Sequence, residues 1–551
     1  MAWYNDAVFY HIYPLGMTGA PKHNDYATPV PRLRELFPWI DHIRQLGCNA
    51  IYIGPLFQSV GHGYETTDYQ TVDSRLGTNR DFADFVAACH SQGIRVIVDG
   101  VFNHTGRDFF AFRDIREKRE QSPYRDWYRG VNFHGNNSFG DGFGYENWGG
   151  YDLLAKLNQQ NGAVRDYICQ IIRYWVKEFD IDGIRLDAAD VMDFDYMKAM
   201  RRTANEVKKD FWLMGEVIHG DYGRWVNHET LHSVTNYTLH KALYSAHNDH
   251  NYFELAHTVE YVSRFVGDTA KLYTFADNHD VERIASKVQR KESLLPIYVL
   301  LYGLPGIPSI YYGSEFGLEG RKGRGAEADT PLRPALRYED YAAALDTNPV
   351  TQLIAALGRL RREVPALRRG DYHQLLLQTT HYAFVRTCDG SEAIVAVNNA
   401  DHAVTMELPA SEGIYRGALT GGEVTAAGGV LRIEVAANGG EIWVRDGQAA
   451  APVVFAPVVT EQPPVVEEVC QKQEETPVVA EEMTAEEEII SKVEETPVSI
   501  PRIPYEEMTV AQLQAVILEK MAKNGPVTEW MKKTVDDNTH HGSLLTWAKS
   551  F

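Results

Sequence analysis

The stretch "DGIRLDAAD", Asp182 to Asp190, decides how the rest of the chain is read. Its centre, Ile184-Arg185-Leu186-Asp187, reads as a strand, and residues two apart on a strand share a face. One face of a short, mostly apolar strand thus carries Arg185 and Asp187. Charged side chains are rarely buried unless paired. The pair is either a structural ion pair or a carboxylate held ionised by its neighbour, and the surrounding sequence chooses between them.

Seven further β-rich runs accompany it through the first two thirds of the chain. They are Ala7 to Tyr13, Ala50 to Pro55, Arg95 to Val101, Phe211 to Val217, Ser233 to Tyr237, Lys271 to Asp277 and Ile307 to Gly313, with Gly183 to Ala189 as the fourth in chain order. The sixth, "SVTNY", has the weakest strand pattern. Amphipathic stretches such as Arg80 to Gln92 and Ala163 to Phe179 lie between them. Strand-helix alternation predicts a parallel sheet. Eight such units predict an α/β fold, a (β/α)8 TIM barrel with insertions. The connection after the third strand is long and rich in Gly, Asn and aromatic residues, which marks an inserted subdomain or lid.

Beyond a helix at Pro349 to Arg362, short alternating runs broken by Asp-Gly and Asn-Asn-Ala-Asp turns predict an antiparallel β-sandwich. The expected organisation is barrel at 1–103, inserted B subdomain at 104–158, barrel again at 159–365, and C-terminal β-domain at 366–447. A low-complexity Pro/Val/Glu linker at 448–504 and a small helical module at 505–551 follow. Thr509 and Gln512 form a capping-box signature at the start of that module's helix. The module reads as a clip that packs back on the chain or as a dock for another protein.

The chain has 551 residues and a formal net charge of −21, which argues against nucleic acid or an anionic membrane as partner. Residues 451–500 alone hold 12 Glu against two Lys, so much of the acidity sits in the linker. No transmembrane run and no signal-peptide pattern is present. The five cysteines are scattered, with neither metal spacing nor a disulfide framework. A cytoplasmic home is the expectation.

Active sites of (β/α)8 barrels lie at the C-terminal ends of the strands. Those ends supply Asp99, Asn103 and His104 ("DGVFNH"), Arg185 and Asp187, Glu216 ("GEV"), and Asn278, His279 and Asp280 ("FADNHD"). No Gly-x-Ser-x-Gly elbow, no His-Glu-x-x-His metal pattern and no Gly-rich phosphate loop is present. Paired carboxylates remain, and they are the machinery of glycoside hydrolysis.

These segments resemble the four signature regions of the α-amylase superfamily, glycoside hydrolase family 13, in the same order and on the same strands. "GYETTDYQTVDSRLGT" (Gly63 to Thr78) is similar to the family's segment after the second strand, and "LAKLN" (Leu154 to Asn158) to its motif at the end of the inserted subdomain. The resemblance covers about Ala2 to Gly447. It implies Asp187 as nucleophile, Glu216 as general acid/base and Asp280 as third carboxylate. It also implies Tyr64 as a stacking platform and His104 and His279 as hydrogen-bond donors to the sugar.

Arg185 is then expected to orient Asp187 and lower its pKa, while crowding raises that of Glu216. A retaining mechanism puts the two carboxyl groups ~5–5.5 Å apart. Asp99 and Asn278 support the site. Trp148 and Tyr151 stack sugars or pack the subdomain, and His11 reads as a core histidine with its hydrogen bonds satisfied. No cofactor is required for the chemistry. A structural Ca²⁺ at Asn103, as in many relatives, stands beside the alternative that Asn103 caps a turn.

"WGGYDLLAKLN" and "GEVIHGDY" resemble the neopullulanase and cyclomaltodextrinase side of the family. Those enzymes usually build a dimer on an N-terminal β-domain, an argument that is not expected to transfer here, where the first barrel strand starts at Ala7. Where many α-amylases place a Lys-His pair after the nucleophile, this chain has Asp187-Ala-Ala-Asp190-Val191. The expected function is retaining hydrolysis of α-1,4 bonds in maltodextrins, with an α-glucan oligosaccharide as partner. The alternatives are an α-glucanotransferase or α-1,6-active relative and, from another class, a carbohydrate-binding protein with an inactive barrel.

Overall fold

The computed structural model describes residues 2–267, 272–446 and 509–524. All eight expected strands form: β1 (Phe9–Ile12), β2 (Ala50–Ile53), β3 (Arg95–Gly100), β4 (Gly183–Leu186), β5 (Trp212–Gly215), β6 (Ser233–Val234), β7 (Tyr273–Phe275) and β8 (Ile307–Tyr311). They make one parallel sheet in the order β6-β5-β4-β3-β2-β1-β8-β7. The circle closes where Thr235 bridges Tyr273 and the Asn236 N–H donates to the Tyr273 carbonyl at 2.8 Å. The sixth strand is short because its residues leave the sheet after two positions to start the helix Tyr237–Asn248.

Period-2 alternation sends successive residues of each barrel strand to opposite faces, one toward the barrel interior and one toward the helices. Phe9, Tyr52, Ile97, Trp212, Tyr273 and Ile307 pack together as one cluster, the inside of the barrel. Their neighbours Tyr10, Ile51, Val96 and Leu213 pack into the main core with the surrounding helices. Phe9 stacks on Trp212 with ring centroids 5.2 Å apart.

The two ends of β4 carry carboxylates with different duties. Asp182, at the N-terminal end, is 1% exposed, accepts from His90 Nε2 (2.7 Å), Arg95 Nη1 (2.9 Å) and the Val96 N–H (2.9 Å), and forms an ion pair with Lys208 Nζ (3.0 Å). Burial works against its ionised form, but His90, the Val96 amide and Lys208 outweigh burial and hold its pKa at about 2. The folded pKa is depressed, so this stabilisation is complete above the unfolded value and is lost as pH falls through the folded one. Asp182→Asn is expected to cost about 2–3 kcal/mol at pH 7. Urea denaturation of both proteins should show roughly half that gap at pH 3; an undiminished gap there would contradict the argument.

The connection after β3 forms the inserted subdomain, with a helix Phe110–Lys118 and a three-stranded sheet of His104–Thr105, Tyr151–Lys156 and Asn147–Trp148. Its hairpin turns at Gly149 and Gly150, whose φ values of 65° and 82° suit a two-residue primed turn. After the helix Pro349–Glu363, a six-stranded antiparallel sheet faces a two-stranded one. The strand Ser391–Asn398 is buried throughout: Val395 and Val397 join the main core, and Ile394 and Ala396 join the core between the two sheets.

The linker lies outside the described residues. Within the C-terminal module the helix Val510–Asn524 is described. The Thr509 N–H donates to Gln512 Oε1 (2.8 Å) and the Gln512 N–H to Thr509 Oγ1 (3.4 Å), the reciprocal pair of a capping box. Among the described residues no helix is long and apolar enough to cross a membrane.

Candidate active site

Register brings the charged residues of neighbouring strands together. Asp99 on β3 pairs in the sheet with Arg185 on β4, and Arg185 with Met214 on β5. The Arg185 guanidinium, 2% exposed, stands between three carboxylates. Its Nη1 donates to Asp99 Oδ1 and Asp187 Oδ1, both at 2.9 Å, and its Nη2 lies 2.8 Å from Glu216 Oε2. One planar fork therefore fixes the carboxyls that follow β4 and β5. Asp99 is 1% exposed and also accepts from the hydroxyls of Tyr52 (2.9 Å) and Tyr64 (3.2 Å), so it braces the arginine from behind.

Glu216 is held from two more sides. Its Oε2 accepts from the Ala188 N–H at 3.2 Å, and its Oε1 from the Tyr237 hydroxyl at 3.2 Å. Ala188 has a left-handed backbone, φ 49°, which an L-residue adopts only under local constraint. Asp280, after β7, accepts from Arg333 Nη2 at 2.9 Å and lies 2.9 Å from His279 Nε2. The Asn278 carboxamide oxygen receives the Asp280 N–H at 2.8 Å and shapes that turn.

The electrostatics differ from expectation at Asp187. Burial is the largest influence and pushes its pKa well above the ordinary carboxylate value; Arg185 lowers it but does not prevail. Burial also raises Glu216, with Arg185 opposing and Asp280 adding to the rise. One guanidinium is shared among three carboxylates, which explains why it cannot offset the desolvation of each. Asp187 and Glu216 are thus raised together, each first by burial and each opposed by the Arg185 they share. Asp280 goes the other way: burial is outweighed by His279 and Arg333, which hold it well below the usual carboxylate range. Burial lowers His104 to about 3, so it is a neutral imidazole.

Tyr64 sits 9% exposed with its ring parallel to His279, centroids 5.8 Å apart and planes at 13°, and its hydroxyl bonds to His279 Nε2. His11 is buried as expected and stacks on Tyr52 at 4.1 Å, but its Nε2 finds no hydrogen-bond partner among the described residues. The expectation of a satisfied core histidine is corrected to that extent: the ring is packed against aromatic neighbours, His279 included (5.1 Å), that offer faces instead of acceptors.

Asn103 is fully buried; its carboxamide oxygen accepts from Gln159 Nε2 at 3.0 Å and its Nδ2 lies 3.2 Å from His104 Nδ1. Among the described residues no cluster of three His, Cys, Asp or Glu could hold a metal ion. Trp148 and Tyr151 pair across the hairpin of the inserted subdomain and do not join the hydrogen-bond network of the carboxylates.

Sequence reasoning missed Arg333, Tyr237 and Tyr52. Arg333 follows β8 by more than twenty positions in a region without regular pattern, so only its place beyond a barrel strand's C-terminal end could have marked it. Tyr237 was hidden by being read as the last residue of the sixth strand.

A sequence model described as "Alpha amylase, catalytic domain" matches residues 33–348. The cyclomaltodextrinase of Thermoanaerobacter pseudethanolicus is 29% identical over 434 residues, covering 75% of this chain and 73% of that protein. The intracellular maltogenic amylase of Bacillus subtilis is 28% identical over 421 residues, covering 72% and 69%. The ligand-free cyclic alpha-maltosyl-(1→6)-maltose hydrolase of Arthrobacter globiformis superposes with a TM-score of 0.67, at 25% identity, over 81% of this chain and 100% of its own. The matched region takes in seven of the eight barrel strands, all four carboxyl groups and both guanidiniums of the site. With barrel, rim and sequence in agreement, the chain belongs to the alpha-amylase family of glycoside hydrolases.

Proposed function

We propose that this protein hydrolyses α-1,4 bonds of maltooligosaccharides with retention of configuration, through a glycosyl-enzyme ester on Asp187. The observation that carries the reading is the shared fork: Arg185 grips Asp187 with one nitrogen and Glu216 with the other. That fixes a nucleophile and a proton donor side by side, as a double displacement requires.

In the first half-reaction the Asp187 carboxylate attacks the anomeric carbon while Glu216 gives its proton to the departing glycosidic oxygen. In the second, ionised Glu216 takes a proton from water, whose oxygen bonds to the anomeric carbon as the ester electrons return to Asp187. Asp280, kept ionised, holds the ring hydroxyls and favours the oxocarbenium-like state. His104, a neutral imidazole, and His279 serve as donors to the same sugar. Tyr64 offers the flat apolar surface, and Trp148 a further stacking face. No step is routed through Ca²⁺.

Relatives named a cyclomaltodextrinase, a maltogenic amylase and a cyclic alpha-maltosyl-(1→6)-maltose hydrolase make cyclic and 1→6-linked glucans substrates to try beside linear maltooligosaccharides. The Bacillus subtilis relative is named intracellular, which supports a cytoplasmic site of action. Asp190 in place of a basic residue favours trying α-1,6 substrates and transfer to sugar acceptors as well. The discriminating experiment is a product profile on maltoheptaose, β-cyclodextrin, pullulan and isomaltose, with the first-formed anomer recorded by NMR. Retained α-products from maltoheptaose are expected; a β-product would overturn the mechanism, and no turnover of any α-glucan would favour the silent-barrel alternative.

A further inference from the structure

Tyr237 touches Glu216 yet has no part in the two half-reactions as written. Barrel closure fixes its position. Thr235 Oγ1 accepts from the Val217 N–H at 2.9 Å, tying the segment just beyond Glu216 to the sixth strand, and the Asn236 N–H ties that strand to Tyr273. Tyr237 then opens its helix, with Asn236 Oδ1 capping Leu239 N–H at 2.9 Å. The ring packs edge-on against Phe275, centroids 5.0 Å apart. Its hydroxyl accepts from Asn278 Nδ2 at 3.0 Å, which turns its proton toward Glu216 Oε1 at 3.2 Å. Asn278 is itself oriented by the Asp280 and Val281 N–H groups on its carbonyl oxygen (2.8 and 3.2 Å).

We propose that Tyr237 is a positioning residue for the second half-reaction, holding Glu216 in its ionised form and aimed at the incoming water or sugar hydroxyl. This rests on the assignment of Glu216 as acid/base. A phenol can only donate to a carboxylate, so the bond strengthens when Glu216 has given up its proton and weakens when it has regained one. The bonds made and broken are those of the second half-reaction; Tyr237 keeps its own proton throughout. Burial and the Glu216 charge both raise the phenol's pKa well above 10, in keeping with that role. The other groups facing Glu216 are Arg185 and the Ala188 N–H from the β4 side, with His279 and Asp280 from beyond β7. None of these is a neutral donor fixed by a second donor behind it.

The test uses α-maltosyl fluoride, whose leaving fluoride needs no proton from Glu216. In Tyr237→Phe, kcat should fall about ten- to a hundredfold, as the loss of one hydrogen bond to a charged group implies, while kcat/KM stays near that of the unaltered protein. A stoichiometric burst of fluoride should appear, with maltosyl ester on Asp187 seen by mass spectrometry. Azide, a nucleophile that needs no base, should restore turnover and give a maltosyl azide of retained configuration. Asn278→Leu should share the phenotype in weaker form. A parallel fall of kcat and kcat/KM with neither burst nor azide response would overturn the proposal, as would unaltered kinetics in both variants. Glu216→Gln is the control: if it shows burst and azide rescue and Tyr237→Phe does not, only the Tyr237 role fails; if it lacks them, the acid/base assignment fails.

Discussion

Glu216→Gln is expected to lower turnover of maltoheptaose by about 10²–10⁴-fold, the range that a positioned acid and base supplies, while leaving the sugar bound. Gln has the shape of Glu: its one oxygen can keep the Arg185 and Ala188 donors, while its NH2 group takes the other site and donates to the Tyr237 hydroxyl. What is lost is the proton for the glycosidic oxygen and the base for the second step. Calorimetric titration of the variant with maltoheptaose should return a Kd close to the KM-derived affinity of the unaltered protein. A substrate with a leaving group that needs no proton should lose less of its first step than maltoheptaose does. Equal activity on maltoheptaose in variant and parent would remove Glu216 from the mechanism.

Arg185→Met should be the most damaging single change in the barrel. It strips the cation from three carboxyls at once, and two of them, Asp99 and Asp187, are 1% and 7% exposed. Removing one partner of a buried ion pair costs about 3–5 kcal/mol, so the variant is expected to unfold at markedly lower urea concentration at pH 7.5. The pH dependence has a definite sign. Asp187 and Glu216 already stand above their ordinary values through burial, and without the guanidinium they lose the influence that lowers them, so the folded state of the variant binds protons more readily still. The deficit is therefore largest above the raised pKa values and shrinks as pH falls toward 5. A deficit of equal size at pH 7.5 and pH 5 would show that lost packing, not uncompensated charge, is responsible. Turnover should be abolished at every pH, because neither carboxyl keeps its place.

The barrel was legible because its signal is local: each strand announces itself by a short apolar run, and even "SVTNY" forms, though as two residues in place of five. The carboxylates were legible because each follows such a run directly. Arg185 was found for the same reason, and its grip on Asp187 is as expected. The hold on Asp99 and Glu216 depends on which strands lie side by side, which a single strand does not reveal. Arg333 and Tyr237 went unnoticed because they reach the site from a long loop and from a strand-helix junction. The pKa of Asp187 was misjudged from pairwise reasoning: a neighbouring arginine lowers an aspartate when it serves that aspartate alone. Here it serves three. At Asn103 the resemblance suggests calcium; the hydrogen bond its oxygen accepts from the buried Gln159 depends on a distant part of the chain that the local sequence does not show.

The rim gathers Asp99, Asp187, Glu216 and Asp280 around only two guanidiniums, Arg185 and Arg333. Even with Glu216 protonated, as the first half-reaction requires, the cleft floor keeps an excess of negative charge. A sugar bearing phosphate or carboxylate would meet that field unaccompanied, whereas an uncharged glucan meets only dipoles it can match. The arrangement that makes the chemistry possible thus also screens the carbohydrate pool by charge, before any contact with an individual hydroxyl is made.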